Sequence, residues 1–185
     1  MQYFEHCLSE EEGGNRKQLE ALLGRAKIFE KGKKFEQALE ALSEACICFP
    51  DFQPAQIEKV KVHILHGEWE NTFEVLHATM QFDKTNPEVL RIHVFWLMAR
   101  ENDLEHVLEK FDDLTAALKL NEGKNADLFY NVSRLFARYC GRKPEIIKKT
   151  RLLLETSIML QPENVAYHVE IGHQQCMLGD YQGGY

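Results

Sequence analysis

A residue with a small or β-branched side chain returns along this chain at a nearly fixed step. Thr72 stands 34 residues after Ala38, Val107 stands 35 after Thr72, and Gly184 stands 34 after Thr150, with one longer step of 43 from Val107 to Thr150. Three of the returns follow a turn-forming cluster, namely Gly67-Glu68-Trp69, Asn102-Asp103-Leu104 and Gly179-Asp180-Tyr181. Self-similarity at this period marks an array of like units, each too thin to bury its own apolar face without a neighbour.

The stretch Gly32–Pro50 shows what is repeated. Phe35, Ala38, Leu42 and Ala45 fall at the three- and four-residue spacings that bring side chains to one side of a helix, and Pro50 closes the stretch. Small residues there let a neighbouring helix approach closely, and large ones fill the gaps. On these residues the stretch resembles the second half of a tetratricopeptide repeat. That resemblance implies an all-α fold, a right-handed superhelical solenoid of antiparallel helix pairs.

Composition narrows the function classes. At 185 residues and 44% apolar the chain has the makings of an ordinary folded domain, and 22 basic against 29 acidic residues leave a net charge of −7. Broad nucleic-acid binding is disfavoured, because neutralising phosphates needs a basic surface. Five cysteines, with Cys46 and Cys48 inside one predicted helix, and the lack of a basic-then-apolar leader suit a reducing, cytoplasmic setting. The longest apolar run, Val94-Phe95-Trp96-Leu97-Met98-Ala99, is far below the ~20 residues that span a bilayer. No direct membrane insertion is expected.

Taken in order, residues 1–15 are expected to form a mobile leader, since Ser9-Glu10-Glu11-Glu12 runs into Gly13-Gly14 rather than an apolar stretch. A helix from Asn15 carries Leu19, Leu22, Leu23, Ala26 and Phe29 and closes at Lys31-Gly32, completing a first unit over 19–52 within a solenoid of 16–185. Further units are expected over 53–86 and 87–121, the latter opened by the cap Asn86-Pro87 with helices near 87–100 and 104–119. An irregular unit follows over 125–162, with an over-long helix at 126–140 and a second from Pro144 to Leu160. A partial unit, 164–185, supplies one helix at 164–178 with Gly172 in the repeat's glycine place. The chain stops at Tyr185 before the helix this last turn announces, and so reads as a truncated fragment whose final helix has an uncovered, fraying side.

In tetratricopeptide repeats the first helices of the pairs line a groove for an extended segment or a helix. The resemblance places Leu23, Lys27, Ile57, Lys61, Ile64, Ile92, Trp96, Val169 and His173 there, an apolar middle suited to a protein partner. The plain alternative is that these side chains fill the interior. One branch of the family grips a C-terminal carboxylate with cations; its places fall here on Leu23, Lys27, Glu58, Val89 and His93, so that clamp is absent. Arg142, Lys143, Lys148, Lys149 and Arg151 form a dense basic segment, read chiefly as a solvated face. His63 with His66 and His173 with Cys176 have helical spacing for a metal but lack the further ligands of a closed site. No phosphate loop, nucleophile elbow or zinc-protease helix is present, so neither an enzyme nor a cofactor is expected.

The second unit, with Phe52-Gln53-Pro54-Ala55-Gln56-Ile57-Glu58-Lys59 leading to His66-Gly67-Glu68-Trp69-Glu70, resembles the large tetratricopeptide-repeat subunits of the intraflagellar-transport A complex. That resemblance implies a non-enzymatic scaffold docking on other subunits of a ciliary transport complex, located in the cytoplasm and at the cilium and its base. It would act in retrograde transport and cilium assembly. The alternative is a tetratricopeptide-repeat adaptor in another cytoplasmic complex. An enzyme using the His and Cys positions, or RNA binding by related helical repeats, finds little support in the residues.

Overall fold

The computed structural model describes residues 14–100, 103–141 and 143–179. The expected leader therefore falls largely outside the described residues, as do Asn102, Arg142 and Gly184. Among the described residues the chain is all-α, with no strand. The helices are α1 (Gly14–Lys31), α2 (Phe35–Cys48), α3 (Gln53–His66), α4 (Trp69–Phe82), α5 (Pro87–Arg100), α6 (Leu104–Glu122), α7 (Ala126–Tyr139), α8 (Pro144–Leu160) and α9 (Val165–Met177). Contacts divide the chain into two compact units, 1–84 with α1 to α4 and 85–185 with α5 to α9.

The repeat step dictates the interior of both units. Ala38, Leu42 and Ala45 on α2, Thr72, Leu76 and Thr79 on α4, Val107, Phe111 and Leu114 on α6, and Thr150, Leu154 and Ser157 on α8 are each 2% exposed or less. These are the same three helix positions, the marker and the residues four and seven beyond it, sealed every time. Where these rows carry a threonine instead of alanine on α4, the backbone absorbs the hydroxyl. Thr72 Oγ1 donates to Glu68 O at 2.8 Å and Thr79 Oγ1 to Val75 O at 2.7 Å. A buried hydroxyl satisfied within its own helix avoids the ~1–3 kcal/mol of an unmet polar group.

In the first unit Ala26 of α1 meets Ala38, Ala41 and Leu42 of α2 and Val62 of α3, with Phe29 and Phe35 packed alongside. A second group, Leu22, Ala45 and Ala55, is closed by Phe49 and Phe52. In the second unit one larger core runs from Leu90, Val94 and Leu97 through Phe111 and Leu114 to Phe129, Phe136, Ile146 and Ile147. Four of the five helix starts there are fixed by side chains, the exception being α8, which opens on Pro144. Asn86, Asp103, Asn125 and Asn164 each accept from backbone N–H groups of the turn that follows, which typically contributes ~1 kcal/mol apiece.

The helix expected to be over-long is not. Residues 126–140 were expected to exceed the usual length, yet α7 ends at Tyr139 with 14 residues, the same as α2 to α5. The extra residues of the 43-residue step lie instead in α6, 19 residues long, and α8, 17 residues long. α6 overruns because Lys119-Leu120-Asn121-Glu122 holds no helix breaker, and Asn121 ties the added turn back through Nδ2 to Ala117 O at 3.0 Å. α1 likewise begins at Gly14, one residue before the expected start at Asn15 and within the expected leader.

The turn before α2 departs from those at Gly67 and Gly179. Five residues before the marker, Gly67 and Gly179 take φ of 83° and 80°, whereas the equivalent place in the first unit is Lys33, with φ of 56°. A side chain there costs roughly 1–2 kcal/mol against Cβ sterics, partly offset by the freedom that glycine loses on folding. Lys33→Gly is therefore expected to stabilise the chain by about 0.5–1 kcal/mol. Urea denaturation checks it; an unchanged or lower midpoint would mean that the exposed lysine stem contributes more than the strain removes.

Candidate protein-docking surface

The first helices of successive pairs in the first unit, α1 and α3, enclose a cavity of about 260 Å³. Its floor is Leu23, Ala26 and Leu42, and its rim includes Lys27, Glu30, Pro54 and Glu58. Ala26 and Leu42 belong to the unit's buried core and Leu23 packs against it, so the floor exists before any partner arrives. Lys61 Nζ donates to Glu58 Oε1 at 2.8 Å, which holds that part of the rim electrically balanced.

The residues placed in the groove by family resemblance fare unevenly. Leu23 and Lys27 line the cavity, Lys61 braces its edge, and Ile64 is half-buried beside it in the same helix. Ile57 and Ile92 are only 7% exposed, which puts them in the interior. Trp96 is half-buried and packs against the core of the second unit. Val169 is 66% exposed, and His173 is exposed with Nδ1 3.9 Å from Glu170 Oε1. The α3 wall is thus Pro54 and Glu58 rather than Ile57, a rotation of one residue or ~100° about the helix axis. Glu30 and Pro54 were missed as lining residues, although Glu30 sits three residues beyond Lys27 on the same face. Of the carboxylate-clamp places, Val89 and His93 are buried and cannot meet a ligand.

The two histidines at the end of α3 are engaged locally. His63 and His66 donate from Nδ1 to the two oxygens of Glu68, each at 2.8 Å, and Asn71 Nδ2 donates to the same carboxylate at 2.9 Å. This clasp spans the left-handed turn at Gly67 between α3 and α4. The Asn71 amide first and His63 next hold the Glu68 carboxyl below its usual range. Because the folded group titrates below the ~4.3 of an unfolded glutamate, its contribution is present above that pH and is lost as pH falls through the folded value. Glu68→Gln is expected to flatten the acid limb of the stability profile; an identical acid limb in the two proteins would refute it. In the basic segment Lys149 Nζ donates to Asp112 Oδ1 and Arg151 Nε to Glu155 Oε1, so two of its cations are already neutralised. No group of three His, Cys, Asp or Glu among the described residues is placed to hold a metal ion. No helix among them is long and apolar enough to cross a membrane.

Residues 1–73 match the family model described as the tetratricopeptide repeat protein 21 N-terminal ARM repeat, and residues 109–184 match that of the second ARM domain of the same protein. Human tetratricopeptide repeat protein 21B is 34% identical over 179 residues, which cover 97% of this chain. The chain belongs to the tetratricopeptide repeat protein 21 family. It spans 13% of that relative's length. Among solved structures, PilW, a type IV pilus biogenesis factor, superposes with a TM-score of 0.65 at 14% identity, over 90% of this chain and 72% of its own. YrrB, a TPR protein with an unusual peptide-binding site, gives 0.57 at 12% identity, over 98% and 86%. At such identities the likeness to these structures shows the fold, helix pairs of the tetratricopeptide kind. In this member of the 21 family the cavity lies between the first helices of two such pairs.

Proposed function

We propose that this tetratricopeptide repeat protein 21 relative is a non-enzymatic scaffold segment of an intraflagellar-transport A subunit, acting in retrograde ciliary transport and cilium assembly through contacts with neighbouring subunits. The observation that carries the reading is the relationship to tetratricopeptide repeat protein 21B along nearly the whole chain. The preformed cavity between α1 and α3 supplies a docking feature, while His63, His66, Lys149 and Arg151 are each paired with a carboxylate of the chain. YrrB, a TPR protein of the same fold, has a peptide-binding site, which agrees with a docking role.

The test is expression of the tagged 185-residue chain in ciliated and non-ciliated cells, with quantitative mass spectrometry of what co-purifies. Enrichment of intraflagellar-transport A subunits and signal at the ciliary base are expected. A folded chain that captures none of those subunits, or that enters a different cytoplasmic complex equally in both cell types, would replace this reading with that of a general adaptor.

A further inference from the structure

The cavity between α1 and α3 has properties that select an occupant. At about 260 Å³ it falls below the ~300–1,000 Å³ of sites that enclose a metabolite or cofactor. It is large enough for one big side chain. Its floor of Leu23, Ala26 and Leu42 offers no hydrogen-bonding side chain, so a polar or charged group seated there would lose water without compensation. The rim is charged, and its charges are unequally committed. Glu58 is answered by Lys61, and nearby Arg25 by Glu44 at 2.7 Å. Among the described residues neither Lys27, which is exposed, nor Glu30, which is half-buried, has an ion-pair partner. One ammonium and one carboxylate, a turn apart on α1, flank an apolar hole.

Resting on the docking reading above, we infer that the cavity is a socket for one large apolar side chain of a protein partner. That residue is flanked in the partner by an acid that meets Lys27 and a base that meets Glu30. The socket supplies burial, and the two rim charges set the direction in which the partner segment lies, since reversing it would oppose like charges. Neighbouring side chains in an extended segment are separated by ~7 Å on the same strand face, a reach the two long rim side chains can match.

The test is a chemical-shift titration of the ¹⁵N-labelled 185-residue chain with three blocked pentapeptides, Asp-Ala-Phe-Ala-Lys, its charge-reversed form Lys-Ala-Phe-Ala-Asp, and Asp-Ala-Ala-Ala-Lys, in which the charged residues share the strand face of the central one. Shifts are expected at amides of residues 23–30 and 55–58, with one charge order favoured about five-fold over the other. Replacing the central Phe by Ala is expected to weaken binding at least about ten-fold. The double variant K27E/E30K is expected to invert the preference between the two charge orders, a change that a folding defect cannot imitate. An unchanged preference in that variant, or no shifts at the solubility limit of the peptides, overturns the inference. Equal binding of the Ala-centred peptide also removes the socket, yet leaves the scaffold reading to be decided separately by the co-purification experiment.

Discussion

Phe111→Ala is expected to destabilise the second unit by about 4 kcal/mol, the cost of deleting a phenylalanine ring from a core that cannot collapse around the void. Phe111 is fully buried and its ring meets that of Phe136 edge-on, with centroids 5.3 Å apart and planes at 69°. The ring fills the place four residues beyond the marker, which Leu42, Leu76 and Leu154 hold in the other pairs. It is the sole aromatic in that row, and it sits where α5, α6 and α7 converge. Trp96 packs against the same core, so its fluorescence reports on this unit once Trp69 has been replaced by phenylalanine. A loss of ~3–5 kcal/mol in urea denaturation followed through Trp96 is the expected result. A loss of ~1 kcal/mol or less would mean that the neighbours repack and that the core is not a rigid ring stack.

That row of buried positions was legible in the sequence because it depends on period alone. A step of 34 or 35 residues fixes which helix faces meet, and any small or apolar residue at the marker, or a threonine whose hydroxyl bonds to its own helix, serves. Turn glycines were legible for a similar reason, since Gly67 and Gly179 occupy a left-handed place that few other residues take without strain. The groove was less legible. Whether Ile57 or Glu58 faces the open side turns on a ~100° rotation of α3, which is set by how Pro54 and Ala55 begin the helix. Periodicity cannot resolve one residue of phase. The excess in the 43-residue step was visible as a number and the long α8 was legible from Pro144 to Leu160, but the overrun of α6 to Glu122 was not, because Lys119-Leu120-Asn121-Glu122 carries no breaker where a standard helix would stop. Least legible were the polar contacts within the second unit. Ser133, Thr150 and Gln174 are ordinary residues in helical stretches, and their partnership crosses 24 and 41 positions of sequence.

Those contacts carry the other large effect. α9 is seated on the second unit by three buried side chains, Tyr167, Glu170 and Gln174, two of them polar. Gln174 Nε2 donates to Ser133 Oγ of α7 at 2.9 Å and to Glu170 Oε1 at 3.2 Å. Its Oε1 lies 3.0 Å from Thr150 Oγ1 of α8, and that hydroxyl oxygen is also 2.9 Å from Ile147 O, so the two acceptors share one proton. Glu170 gains only distant help from Arg138 at 3.8 Å and His173 at 3.9 Å, so Gln174 is its main local donor. The second support of α9 is Tyr167, whose hydroxyl donates to Asp127 Oδ1 at 2.6 Å and whose pKa burial, followed by that carboxylate, pushes up to about 12. Gln174→Met preserves length and apolar bulk while leaving Ser133 and the buried Glu170 carboxylate without their donor, and is expected to cost about 3 kcal/mol. Adding Ser133→Ala and Thr150→Val removes two of the orphaned partners, so the triple variant should lose less than the sum of the three single losses by about 1–2 kcal/mol. Hydrogen exchange localises the effect, with faster exchange expected in residues 165–177 before the remainder of the unit. Strict additivity across the series, or unchanged protection of α9 in Gln174→Met, would show that the helix is held by Tyr167 and general packing, with the polar contacts as bystanders.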